Sequence, residues 1–150
     1  MGRKEFFDKI DQLANTQDDQ SKQKHEQQDQ LTTQVKFLIE QLIPVFSEYK
    51  AHLESKGIEV RFEHTETFFS FLMYYKNGGH AGLTLERSHE YDTYQFYSPF
   101  TNDDGKSMRS IGDMVTTQKE WSVSDVETLL QKQIEHFFFY ADRHGGYQKA

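Results

Sequence analysis

The stretch IEVRFEHTETFFSFLMYYKNGGHAGLTL, residues 58–85, decides the fold. In its first part charged and polar residues alternate with Ile58, Val60, Phe62 and His64, and a period of two is typical of a strand with one face on the core. Residues 68–75 are apolar on both faces apart from one serine. This second run predicts a central strand that is covered on both sides or carries an interface.

The dipeptide Asn77-Gly78, followed by Gly79, predicts a hairpin, because these residues tolerate the positive φ angles of a type I′ turn. Two further strands follow at residues 81–88 and 94–100, joined by a turn at residues 90–92. A turn at 102–105 precedes a short edge strand at 106–110, whereas residues 111–121 have no clear pattern. Hairpins in series predict an antiparallel meander of four or five strands.

A long helix is predicted before the sheet. Apolar residues recur at alternating spacings of four and three over residues 31–49, and Ile39, Phe46 and Leu53 widen this stripe. Pro44 lies inside it and predicts a kink, because proline removes a backbone donor and clashes with the preceding turn. Gly57 predicts the end of the helix. So wide a stripe favours packing on the sheet, while pairing with a second copy stays open.

The chain upstream of this helix is polar. Residues 6–14 have a short helical apolar pattern, but residues 15–30 contain no apolar side chain. We expect residues 1–30 to be a polar helical or flexible segment and residues 31–150 to be a single domain.

A second amphipathic helix is predicted near the C-terminus. Ser124 with Glu127 has the spacing of a capping box, and Gly145 and Gly146 predict the end. Its apolar stripe comprises Val126, Leu130, Ile134, Phe137, Phe138 and Ala141. The expected fold class is α+β: an antiparallel sheet of four or five strands flanked by a long kinked N-terminal helix and a C-terminal amphipathic helix.

Composition excludes several functions. A net charge of −7 argues against direct binding to nucleic acid or to an anionic membrane, since both require a basic surface. No segment approaches the roughly 20 apolar residues of a membrane-spanning helix. The sequence has no cysteine, which fits the reducing cytoplasm and excludes disulfides and thiolate chemistry. We therefore expect a cytoplasmic protein.

No catalytic, cofactor or metal motif stands out. The spacing of the candidate ligands His64, His80, His89, His136 and His144 matches no metal-binding pattern. The glycines at 78, 79 and 82 resemble a phosphate loop only in composition, because an alternating strand follows them where a helix is needed. We expect no cofactor, and an enzyme is the less favoured interpretation.

The tyrosines indicate an interaction surface. Tyr74 and Tyr97 fall on strand faces opposite Met73 and Phe96, which are better core residues. The predicted partner-binding residues are Tyr74, Tyr91, Tyr94 and Tyr97. The leading hypothesis is a non-enzymatic protein–protein interaction module, such as a small accessory, inhibitor, immunity or chaperone-like protein. Its acidic surface would steer a partner with a basic surface, and a homodimer stays open.

Two alternatives remain. The long helix could cover the same tyrosines on both sides and hide them in the core. The chain could also be a small-ligand-binding domain or an enzyme, with a pocket between the sheet and the helices near His64 and Tyr75.

Overall fold

The computed structural model describes residues 2–88 and 93–148. It has the α+β architecture that the sequence predicts, with both helices on one face of a five-stranded antiparallel sheet. The elements are α1 (Arg3–Ser55), β1 (Glu59–His64), β2 (Phe69–Tyr74), β3 (His80–Ser88), β4 (Thr93–Thr101), β5 (Ser107–Val115) and α2 (Val123–Phe139), followed by a 3-10 turn (Ala141–His144).

Helix α1 is a single helix of 53 residues, roughly 80 Å long at about 1.5 Å per residue. It continues through Pro44, as expected from the unbroken phase of its apolar stripe, and its C-cap is Lys56. Gly57 follows with φ +84, the left-handed conformation that glycine adopts without strain. The buried residues of α1 are Leu31, Val35, Leu38, Ile39, Leu42, Phe46 and Leu53.

Residues 3–30 are the first part of the same helix. Of the two expectations for this polar segment, the structure therefore has the helical one. All of its side chains are exposed except for the half-buried Gln28, because none of them packs on the sheet. We call residues 3–30 the N-terminal arm.

The sheet is a meander in the order β1-β2-β3-β4-β5. The turn between β2 and β3 spans Lys76, Asn77 and Gly78, since the N–H of Tyr75 donates to the carbonyl of Gly79 at 2.8 Å and Gly78 has φ +88. The predicted two-residue turn is therefore one residue too short. A three-residue loop that ends in a left-handed glycine is the next most common hairpin connection. The predicted turn at residues 90–92 lies outside the described residues.

Two strand predictions need correction. The last strand, β5, has nine residues and ends at Val115, well beyond the predicted 106–110. A register shift between Gln95 and Tyr97 interrupts its pairing with β4 and breaks the period-two pattern, which is why residues 111–115 had no recognisable strand signature. Strand β2 is an interior strand, paired with β1 and β3, but only one of its faces is buried and the other is half-buried, so it is not covered on both sides.

Helix α2 begins two residues earlier than predicted. Its N-cap is Ser122, whose hydroxyl accepts from the N–H of Asp125, while the Asp125 carboxylate accepts from the N–H of Ser122 at 3.0 Å. The backbone hydrogen bond from Ser122 lowers the pKa of Asp125. The predicted box at Ser124 and Glu127 is therefore wrong. Ser122 and Asp125 have the same spacing of three residues, and the aspartate accepts the N-cap hydrogen bond that the motif requires.

An aromatic cluster joins α1 to the sheet. Phe46 is fully buried, and its ring centroid lies 5.1 Å from that of Phe69 in an edge-on arrangement. Phe62 and Phe71 lie at 5.7 Å from the same ring. Helix α1 packs mainly on β1 and α2 mainly on β3, so the core lies between these two helices and one sheet face.

Helix α1 has the length to cross a bilayer but not the composition. Among the described residues, no helix contains an apolar stretch long enough for a membrane span.

Phe46→Ala should lower the free energy of unfolding by about 3–5 kcal/mol, because it removes a ring that three others surround. Urea unfolding followed by circular dichroism measures this change. The matched control is Phe37→Ala on the same helix, where the side chain is 62% exposed and the change should stay within about 0.5 kcal/mol. Equal losses in the two variants would contradict the placement of Phe46 at the centre of the core.

Candidate functional site

One sheet face carries both helices, and the other carries no element of the described chain; we call the latter the open sheet face. The register places Tyr97 between Thr84 and Ile111 on it. It also places Leu72 beside Arg61, with Tyr74 following on the same face of β2. Ile111 is 76% exposed. The open sheet face thus combines half-buried rings with the half-buried Leu72 and the exposed Ile111.

Each of the two tyrosines of this face lies beside an arginine. The guanidinium of Arg109 lies 3.8 Å from the centroid of the Tyr97 ring and also forms an ion pair with Glu86. The guanidinium of Arg61 lies 5.7 Å from the Tyr74 ring centroid. Such cation–π contacts orient the rings while leaving them at the surface. Arginine and tyrosine are the residues most enriched at protein interfaces.

The other two predicted tyrosines differ in placement. Tyr94 is only 4% exposed, and its hydroxyl lies 3.1 Å from that of Thr32 on α1. It points to the covered face because it lies two residues from Phe96 on the same strand. Its ring therefore belongs to the core. For Tyr94 this agrees with the alternative in which the long helix hides the tyrosines. Tyr91 lies outside the described residues.

A groove lies on the covered face, between α2 and strands β4 and β5. Its volume is about 800 Å³. The groove exists because α1 and α2 pack mainly over β1 and β3, and because three of the residues that line it on β4 and β5 are small. These are Ser98, Ser110 and Gly112, which lie among the larger Phe96 and Phe100. The α2 wall consists of Leu129, Lys132, Gln133, His136 and Tyr140.

Three stacked rings form one end of the groove. The Tyr75 ring lies between Phe137, at a centroid distance of 4.3 Å, and His144, at 4.4 Å. The Tyr75 hydroxyl donates to the carbonyl of Phe137 at 2.9 Å, and His144 Nδ1 lies 3.1 Å from the Asn77 side-chain nitrogen. Burial, together with nearby Tyr140, raises the pKa of Tyr75 to about 12. Tyr75 therefore stays protonated and acts as a structural donor.

The predicted pocket near His64 and Tyr75 is divided by the structure. Tyr75 lines the groove, whereas His64 is exposed on β1 with its ring 5.2 Å from that of Phe62. Sequence reasoning did not find Lys132 or His136 as groove residues. Their spacing of four residues on α2 places both side chains on the same face of the helix, and this spacing is visible in the sequence.

The candidate metal ligands are only partly brought together. His80, His136 and His144 all line the groove, but among residues 2–88 and 93–148 no group of three or more potential ligands could hold an ion. His89 lies outside the described residues. Comparison of the chain with protein-family models, curated proteins and solved structures finds no match.

His80 should make stability depend on pH. Burial holds the pKa of His80 below its ordinary value of 6.5, so the unfolded chain binds more protons than the folded chain as pH falls below 6.5. The free energy of unfolding should therefore decrease from pH 7 to pH 5, and His80→Gln should flatten this decrease. Urea unfolding at several pH values measures the slope. The control is His25→Gln on the N-terminal arm, and an equal flattening there would contradict the assignment to His80.

Proposed function

We propose that this chain is a non-enzymatic protein-binding module that acts through its open sheet face. The observation that carries the proposal is that no element of the described chain covers this face of the five strands, which displays Tyr74 and Tyr97 beside Leu72 and the exposed Ile111. Rigid rings bury a large area at low entropic cost, so they are suited to a macromolecular partner. A small accessory, inhibitor, immunity or chaperone-like protein would have such a surface. The absence of cysteine supports a cytoplasmic location.

Charge favours a basic partner. The chain has a net charge of −7, and the open sheet face includes Glu63 and Glu86 around its apolar residues. Acidic groups at the rim of an interface accelerate encounter with a basic surface. Arg61 and Arg109 lie directly over the rings, where they would be buried with the tyrosines.

Replacing Tyr74 and Tyr97 together by alanine should weaken partner binding at least about tenfold, since interface tyrosines are frequent hot spots. The measurement is titration calorimetry with a protein that co-purifies with the full chain. The far-ultraviolet circular dichroism spectrum should not change, because both rings lie outside the core. The matched control replaces Phe138 and Phe139 on α2, which are 41% and 76% exposed. Unchanged affinity in the tyrosine variant, or loss of folding, would contradict the proposal.

A second candidate function is binding of a small ligand. The groove of about 800 Å³ favours it, because this volume lies within the usual range for ligand sites and its lining mixes apolar and polar side chains. Lys132 and His136 on one wall and Ser110 on the other would supply polar contacts.

A thermal-shift screen of metabolites should then raise the melting temperature of the chain in a concentration-dependent way. Ser110→Trp should abolish the rise, because the indole fills the groove. Ser107→Trp is the control: Ser107 is exposed on the same strand, opposite Thr101, and does not line the groove. A rise that survives Ser110→Trp would place the ligand elsewhere.

A further inference from the structure

The covered sheet face has room for one more helix. Five strands at about 4.8 Å spacing span roughly 19 Å between the outer strand axes, and helices pack about 8–10 Å apart, so three helices fit side by side. Among the described residues, α1 and α2 are the helices on this face, while Thr32 of α1 reaches Tyr94 and Trp121 covers Phe96 at one end of β4. The other end of β4 and β5 has no helix over it in the described chain. The vacant position is the groove, where Phe100 is 37% exposed and Met108, its neighbour on β5, is 48% exposed beside the groove. An amphipathic helix is the element that would complete this layer.

The chain itself contains an amphipathic helical segment without a partner. At the tip of the N-terminal arm, Phe6, Ile10 and Leu13 are 52%, 45% and 61% exposed. At about 100° per residue these three side chains lie within roughly 60° of one another around the helix axis. They form an apolar stripe, which we call the tip stripe, and Phe7, 56% exposed, lies at its margin beside Ile10. An isolated helix in water is only marginally stable, and packing of an apolar face supplies most of the stability of helices in proteins. Packing of the tip stripe would therefore stabilise the helical arm.

The tip of the arm, from Arg3 to Ala14, matches the groove in length, and the tip stripe lies within this span. The groove wall on α2 extends from Leu129 to Tyr140, roughly 16 Å at about 1.5 Å per residue. The arm from Arg3 to Ala14 has the same number of residues and hence the same length.

They also match in charge. Glu5 and Lys9 flank the tip stripe on one side of the helix. The groove offers Lys132 on α2 and Asp113 on β5. Among residues 2–88 and 93–148, neither of these two side chains forms an ion pair. A docked arm can therefore bring a carboxylate to Lys132 or an ammonium group to Asp113.

The arm cannot enter the groove of its own chain. It continues without a break into the part of α1 that packs on the sheet, and its side chains are exposed up to Gln27. We propose that the tip stripe docks in the groove of a second copy, so that two chains exchange arms across a two-fold axis. Such reciprocal exchange gives a closed dimer with two identical contacts. It uses neither Tyr74 nor Tyr97 and is independent of the function proposed for the open sheet face.

Disulfide cross-linking tests the contact directly, because the chain has no native cysteine. Full-length Leu13→Cys and Ser110→Cys chains that differ in mass are co-expressed and mildly oxidised. Non-reducing electrophoresis should show the mixed Leu13–Ser110 dimer as the main product, at least tenfold above either homodimer. The matched control is Asn15→Cys with Ser110→Cys, because Asn15 lies on the opposite side of the arm and should give no more than background. A dominant Leu13–Leu13 product would show arm-to-arm pairing and overturn the inference.

Light scattering tests the assembly. The full chain should have twice its 17.8 kDa mass. Leu13→Asp should raise the dimer dissociation constant at least about tenfold, since a charge replaces a buried leucine. Ser110→Trp should do the same from the groove side, and Asn15→Asp should have no effect. The Leu13 variant should unfold at the melting temperature of the monomeric domain, because Leu13 is 61% exposed and is not part of the described core. A monomeric wild-type chain, or a dimer that tolerates both variants, would overturn the inference.

Discussion

The structure depends on burial of the apolar stripe of α1 against the phenylalanines of the first two strands. Phe46 lies at the centre of this contact, with Phe62, Phe69 and Phe71 around it. Because the chain is poor in aliphatic residues, these rings supply much of the apolar area that offsets the conformational entropy of folding. The contact also commits both helices to one side of the sheet, since α2 packs beside α1 on the same core. Because both helices lie on one side, the opposite side of the sheet is the open sheet face.

Side-chain parity along the strands then divides the aromatic residues between core and surface. Phe96 and Tyr94 lie two residues apart on β4 and are both buried, whereas Tyr97 is on the opposite face. A one-residue difference along a strand reverses the side on which a ring lies. The same rule separates Met73 from Tyr74 on β2. Two tyrosines of similar sequence context therefore differ in availability: Tyr94 bonds to α1, and Tyr97 stacks against Arg109.

Because α1 reaches β4 near Tyr94 and α2 packs mainly on β3, the part of β4 and β5 around Ser98 and Ser110 has no helix over it in the described chain. The resulting groove ends at the stack of Phe137, Tyr75 and His144, where a hydrogen bond from the hydroxyl of Tyr75, the residue after β2, joins this strand end to α2. The groove and the tip stripe are thus two apolar surfaces of the described chain that lack a packing partner. Their mutual fit in length and charge is the physical basis for the exchange of arms proposed above.

Local patterns in the sequence determine a large part of this fold. The period of two over residues 58–64, the helical stripe over residues 31–53 and the turn glycines identify the elements, because strand and helix periods depend only on local backbone geometry. The expected faces of Tyr74 and Tyr97 follow from the same parity. The full length of β5 could not be predicted, since the bulge opposite Phe96 breaks its alternation and becomes visible only through pairing with β4. Tertiary structure alone decided that Tyr94 joins the core, that only one face of β2 is covered and that a groove lies beside α2. These features depend on which helix covers which strand, and that choice is made by packing between segments far apart in the chain.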